Sequence, residues 1–151
     1  MKNFPIYPYK GVGNLKFGMQ RTGIHAMLGT PARQKKSRFS DEITDFWNGN
    51  GLQLVFSNPE GELVEICLYP NLENVTLEGA KILSESGKSV YDSLCKLDGT
   101  PRQTVGVTVL LNLGIAITGF LNDDPDDKSV TVFARGRWRE DDPSLGPVKI
   151  A

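Results

Sequence analysis

The spacing of apolar residues changes several times along the chain, and each change marks an element. Residues 1–12 hold Phe4, Tyr7, Tyr9, two prolines and Gly11 with no helical period, and read as an extended N-terminal arm. Asn14 to Phe17 is a short strand candidate. Between Gln20 and Leu28 the apolar positions Ile24, Met27 and Leu28 recur at helical spacing. Gly29-Thr30-Pro31 stops that helix, because glycine accepts the terminal left-handed turn and proline prevents resumption. Arg33 to Arg38 is polar and basic, an edge strand or loop. Ile43–Trp47, Leu52–Phe56 and Leu63–Tyr69 then read as three strands of a meander. Asn48-Gly49-Asn50-Gly51 and Asn58-Pro59-Glu60-Gly61 supply its turns.

The second half runs in the same order. Val75–Leu77 is a short strand candidate, and Ser89–Leu97 is a helix with Val90, Leu94 and Leu97 on one face. Gly99-Thr100-Pro101 stops it, 70 residues after the first such stop. Thr104–Leu111 alternates as one strand with Val105, Val107, Val109 and Leu111 on one side. Asn112-Leu113-Gly114 turns the chain, Ile115–Phe120 is the next strand, Asn122–Asp127 is an acidic loop, and Ser129–Trp138 is the last long strand. The expectation is a single α+β domain over residues 1–151. It consists of two tandem strand–helix–antiparallel meander repeats, at 13–70 and 74–138, with the arm 1–12 and a C-terminal tail 139–151. The helices pack on one sheet face and leave the other open.

Composition narrows the function. With 151 residues the chain buries enough surface to fold without a metal or disulfide. Seventeen Lys and Arg against 18 Asp and Glu give a net charge of −1, which excludes indiscriminate nucleic-acid binding. No signal peptide and no membrane-length apolar run is visible, so a cytoplasmic protein with reduced Cys67 and Cys95 is expected. Two cysteines and one histidine give no metal-ligand spacing, and no cofactor is expected. Gly11-Val12-Gly13 precedes a strand rather than a helix, unlike a phosphate-binding loop. His25 reads as structural or surface, since no nucleophile with an orienting acid accompanies it.

The charge balance hides local separation. Arg33, Lys35, Lys36 and Arg38 form one basic stretch, and Asp123, Asp124, Asp126 and Asp127 crowd one loop. That loop lacks the EF-hand pattern and reads as a solvated turn or an acidic contact for a basic partner. Arg135, Arg137 and Arg139 alternate with apolar residues, so that Phe133, Arg135 and Arg137 form an outward stripe of types enriched at binding hot spots. Glu65, Cys67 and Tyr69 face away from Val64, Ile66 and Leu68. Trp47 either joins Glu65 and Tyr69 on an open face or belongs to the core.

Gly13-Asn14-Leu15-Lys16-Phe17-Gly18-Met19, followed by a short helix ending Met27-Leu28-Gly29-Thr30-Pro31, resembles the opening of a known unit. That helix-plus-meander unit occurs in the beta-lactamase inhibitor protein family and in small lipoproteins of the outer-membrane assembly machinery. Two tandem units over residues 13–138 are closer to the inhibitors, whose repeats make a concave sheet that grips an enzyme. Small unsecreted bacterial proteins of this look are often toxin immunity proteins. The departures are the missing signal peptide and the missing lipid-attachment cysteine. The resemblance implies a bacterial immunity protein, monomeric or weakly dimeric, that neutralises a cognate toxin by occlusion. It implies no catalytic residue, nucleic acid or membrane. The expected contacts are the four loop aspartates, Phe133, Arg135, Arg137, Trp47, Glu65 and Tyr69. The rivals are an envelope-assembly scaffold, an enzyme working through Asp45 and Glu65, and a small-ligand binder.

Overall fold

The computed structural model describes residues 1–148. It is a mixed α+β structure with two sheets, mostly antiparallel, and two helices. The last three residues of the expected tail, 149–151, lie outside the described residues.

The arm is not merely extended. It forms β1 (Phe4–Tyr7), which lies at the centre of a five-stranded sheet. On one side β1 pairs antiparallel with β2 (Gly11–Val12), which pairs with β3 (Leu15–Lys16). On the other it pairs parallel with β8 (Val75–Leu77), which pairs with β9 (Ala80–Lys81). Phe4 and Ile6 point inward from β1 and are buried, while Tyr7 is exposed.

The larger sheet has nine strands. Helix α1 (Arg21–Leu28) leads into β4 (Arg33–Lys36), β5 (Ile43–Trp47), β6 (Leu52–Phe56) and β7 (Leu63–Leu68). Helix α2 (Gly87–Asp98) leads into β10 (Arg102–Thr104), β11 (Val107–Leu110), β12 (Ile115–Thr118) and β13 (Ser129–Phe133). The two meanders therefore join in one continuous sheet instead of forming two. Their last strands, β7 and β13, pair antiparallel at its middle, with Ile66 opposite Val132 and Leu68 opposite Val130. β4 ends the sheet on one side, and β14 (Gly146–Pro147) covers β10 on the other.

Strand alternation decides what each face carries. Trp47, Leu52, Leu54, Ile66, Leu68, Val130, Val132, Ile115, Ile117 and Leu110 form one side. They share a core with Ile24 of α1, with Val90, Leu94 and Cys95 of α2, and with Phe4, Ile6, Val75 and Leu77 of the small sheet. Helix α1 has no acid in its first turn, no side-chain N-cap and Gly23 in its middle. Its hold is tertiary: Ile24 is buried, and the Trp47 indole N–H donates to the carbonyl of Gly29 at 3.2 Å. At the end of α2 the buried Asp98 carboxylate accepts from the backbone N–H groups of Asn112 at 2.9 Å and Leu113 at 3.2 Å. That contact fixes the helix to the turn between β11 and β12.

Two expected strands are corrected. Thr104–Leu111 is not one strand but β10 and β11, joined by a turn at Val105-Gly106. Gly106 takes φ +72°, which alternation of valines does not reveal, and Val105 is left 97% exposed instead of sharing a face with Val109. The last strand ends at Phe133, not Trp138. The Ala134 N–H still donates to Val64 O, but the Arg137 N–H then donates to Ala134 O and closes a turn.

Candidate functional site: the outer face of the nine-stranded sheet

The face opposite the helices divides into two parts. Over β10–β13 it is covered. Val109, Ala116 and Phe133 are buried with Leu145, and Trp138 and Tyr9 pack against them. The tail thus lies over this half, and the β1–β2 turn reaches round the sheet end to place Tyr9 edge-on to Phe133, with centroids 5.9 Å apart. Tyr9 holds φ +61°, rare for a bulky residue, and its hydroxyl donates to Leu111 O.

Over β5–β7 the face is half-exposed. The register brings Thr44, Val55 and Glu65 into one row and Phe46, Gln53, Cys67 and Thr131 into the next. Of these only Phe46 is buried, under the Arg33 guanidinium 4.2 Å from its ring centroid. Tyr69 stands half-exposed at the end of the second row. Its phenol is pushed up from its ordinary value by burial and by the neighbouring Cys67.

Arg137 joins the tail to this open part. Its Nη1 donates to Glu42 Oε2 at 2.6 Å, its Nη2 donates to Glu42 Oε1 at 3.0 Å, and Nη2 lies 3.4 Å from Glu65 Oε1. The hydrogen bond from Arg137 holds the Glu42 carboxyl below its ordinary value. Glu65 moves the other way, because burial outweighs Arg137 and Glu42 adds repulsion. Two carboxylates share one guanidinium here.

Cys67 is half-buried on the same face, with the Thr131 hydroxyl donating to its sulfur at 3.6 Å. Burial pushes its thiol up to about 11. Cys95, buried in α2, is also raised, again chiefly by burial. Alkylation by iodoacetamide near pH 8 is therefore expected to be on the order of a hundredfold slower for Cys67 than for a free thiol of ordinary acidity, because only the thiolate reacts. Mass spectrometry of the folded and urea-unfolded chain measures this. Fast labelling of folded Cys67 contradicts it.

The expected contact residues scatter. Glu65 and Tyr69 share the open face. Trp47 does not: it points to the opposite side, buried beneath α1 and edge-on to His25. Phe133 is buried beneath Tyr9 and the tail, so no outward stripe with the arginines exists. Because the strand has ended, the three arginines take separate partners: Arg135 stacks on Tyr9 at 4.2 Å, Arg137 pairs with Glu42 and Glu65, and Arg139 pairs with Asp141 at 3.0 Å. Asp123, Asp124, Asp126 and Asp127 are all exposed, and the Asp124 carboxylate accepts from the Asp126 N–H at 2.9 Å. Among the described residues no group of three metal-ligating side chains is found.

Asp45 and Glu65 stand on opposite faces. Asp45 pairs with Leu54 on the helix side, whereas Glu65 pairs with Val55 on the outer side. With the sheet between them, the two carboxylates cannot work as a pair in one cleft. Asp45 is instead 0% exposed, held by Arg21 Nε and Nη2 at 2.8 Å each and 2.6 Å from His25 Nε2.

Sequence reasoning missed Phe39. It sits in the turn between β4 and β5 and is 99% exposed. The available signal was its position between Arg38 and Ser40, in a polar run with no apolar neighbour to pack on. Among the described large apolar residues Val105, in the turn between β10 and β11, is almost as exposed, at 97%. The antiparallel register places these two turns at opposite ends and opposite sides of the sheet. Comparison with protein-family models, with curated proteins and with solved structures finds no match to this chain.

Proposed function

We propose that the protein is a binding protein whose outer sheet face over β5–β7 grips one protein partner, and that it acts as an immunity protein occluding a bacterial toxin. The observation that carries this reading is the half-exposed patch of Thr44, Gln53, Val55, Glu65, Cys67 and Tyr69 beside the wholly exposed Phe39. An uncovered sheet face with an aromatic at its rim suits a partner better than solvent, since a fully exposed Phe forgoes about 1.5–3 kcal/mol of burial. The tandem arrangement of hairpin, helix and meander is read as a duplication. The four exposed aspartates favour a basic partner and act on encounter rate more than on the final complex.

The test is co-expression with the products of neighbouring genes. A protein that is toxic alone and copurifies with this chain is expected. Phe39→Ser then weakens the complex about 30-fold or more, the scale of a hot-spot truncation. Neutralising the four loop aspartates to asparagine slows association severalfold at low salt and leaves dissociation unchanged. If no neighbouring product copurifies and none is toxic alone, the reading fails.

A further inference from the structure

A second recognition feature lies away from the open face. The segment after β13 folds back past the end of β10 and the turn between β11 and β12, and a cavity of about 290 Å³ opens between them. Its walls include Arg102 and Arg135, with Tyr9, Thr100, Trp138 and Glu140.

The arginines set this cavity apart. Arg21, Arg137 and Arg139 each hold a carboxylate, and Arg33 covers Phe46. Arg102, Arg135 and the exposed Arg38 pair with no carboxylate among the described residues, and of these Arg102 and Arg135 are the two at this cavity. Both guanidinium groups are nevertheless held at the cavity wall. Arg135, an exposed residue, lies with its guanidinium carbon 4.2 Å from the Tyr9 ring centroid, and among the described residues its N–H groups have no hydrogen-bond partner. Arg102 donates from Nη1 only to the backbone carbonyl of Glu140, at 3.4 Å. Tyr9 is itself immobilised by its left-handed backbone, by its bond to Leu111 O and by the Phe133 edge. The Thr100 hydroxyl oxygen accepts from Asn112 Nδ2 at 3.2 Å, so its hydrogen remains available to donate. Trp138 adds a half-buried flat wall. Glu140 contributes an exposed carboxylate to the wall, and the buried Asp98 carboxylate behind it is already taken up by the N–H groups of Thr100, Asn112 and Leu113, so the preference for an anion rests on the two forked donors and not on a net charge.

From this arrangement we infer that the cavity binds a small organic oxyanion. Two fork-shaped donors on a preorganised base match the planar edge of a carboxylate or the face of a phosphate. The volume admits a single ring beside the anion, seated against Trp138. The site is independent of the sheet face assigned to the protein partner.

The test uses the full chain and three probes at matched ionic strength: inorganic phosphate, phenyl phosphate and benzoate. The arginine Nε–H and tryptophan Nε1–H resonances are followed by NMR. Phenyl phosphate or benzoate is expected to shift Arg102, Arg135 and Trp138 in a saturable way, and more tightly than inorganic phosphate. The tighter of the two identifies the anion as phosphate or carboxylate. Arg102→Gln and Arg135→Gln are each expected to weaken binding at least tenfold, while Arg38→Gln on the distant basic stretch leaves it unchanged. Arg135→Lys keeps a cation on Tyr9 but loses the fork, and guards against a folding defect in the glutamine variant. It too is expected to bind more weakly. Shifts that grow linearly without saturation, or an equal loss in Arg38→Gln, overturn the inference.

Discussion

Replacing Arg21 with methionine is expected to lower the unfolding free energy by about 3 kcal/mol at neutral pH, the scale of breaking a buried ion pair and leaving one charge behind. The asymmetry of exposure sets the size. Arg21 and His25 side chains are about a quarter exposed, at 26% and 29%, and recover hydration when released. Asp45 is wholly buried and does not. Burial pushes its carboxyl up, but hydrogen bonds from Arg21 and then His25, with their charges, outweigh this and hold it below its ordinary value. A carboxyl depressed in the folded state contributes stability that is fully present above the unfolded value of about 3.9 and is lost as pH falls through the folded value. In Arg21→Met the strongest counterweight is gone, and protonation relieves Asp45 instead of costing stability. The gap between wild type and variant is therefore expected to be largest at neutral pH and to narrow toward about pH 3. Urea unfolding at both pH values measures it. A gap that stays constant means that lost packing of the arginine stem, not charge, is responsible.

This network also shows what was legible in the sequence. Helices, their Gly-Thr-Pro stops and the Asn-Gly turn are local signals, and α1 and the three-strand meander follow from them directly. Asp45 was not legible. In Ile43–Trp47 an aspartate between apolar neighbours reads as the solvent side of a half-buried strand, and it takes partners from elsewhere to reverse that. A faint signal existed: Arg21 and His25 are four residues apart and flank Ile24, so all three lie on the inner side of α1. Trp47 shares Asp45's side by period two, and its placement follows from α1, which covers that side.

The candidate face was legible only in part for a different reason. Alternation places Glu65, Cys67 and Tyr69 together, and the structure agrees. Alternation does not say what lies on top. Over β10–β13 the cover comes from Leu145, which the sequence places in a tail without period, from Trp138, which it places at the end of the last strand, and from Tyr9, over a hundred positions from its hydrogen-bond partner Leu111. Such contacts convert Phe133 from an exposed anchor into core. The end of β13 is set by a turn whose bond from Arg137 N–H to Ala134 O has no residue signature beyond Gly136. The periodicity in 129–138 therefore runs past the strand that it first describes.

The acidic loop offers the second large effect. Gly119→Ala is expected to cost about 3 kcal/mol, combining about 1–2 kcal/mol for an alanine held at positive φ with the displacement of a packed loop. Gly119 has φ +74°, and a Cβ there meets Asp127 O at 2.1 Å and Asp127 C at 2.5 Å. Both are backbone atoms, so no side chain can yield. The loop cannot simply swing away. Next to Asp127, Lys128 is buried and donates from Nζ to Glu85 O at 2.6 Å and Leu83 O at 3.4 Å. On the other flank Thr118 and Ser129 pair in the sheet, with their hydroxyls 2.5 Å apart. Gly106→Ala is the internal comparison. Gly106 has a similar φ of +72° but open space around its missing Cβ, so only the backbone strain of about 1 kcal/mol is expected. For a chain of this length about 3 kcal/mol lowers the melting temperature by roughly 6–12 °C, against roughly 2–4 °C for Gly106→Ala. Equal shifts in the two variants mean that the loop gives way freely and that Lys128 does not anchor it. The expected inequality means that the four aspartates are held on a fixed base.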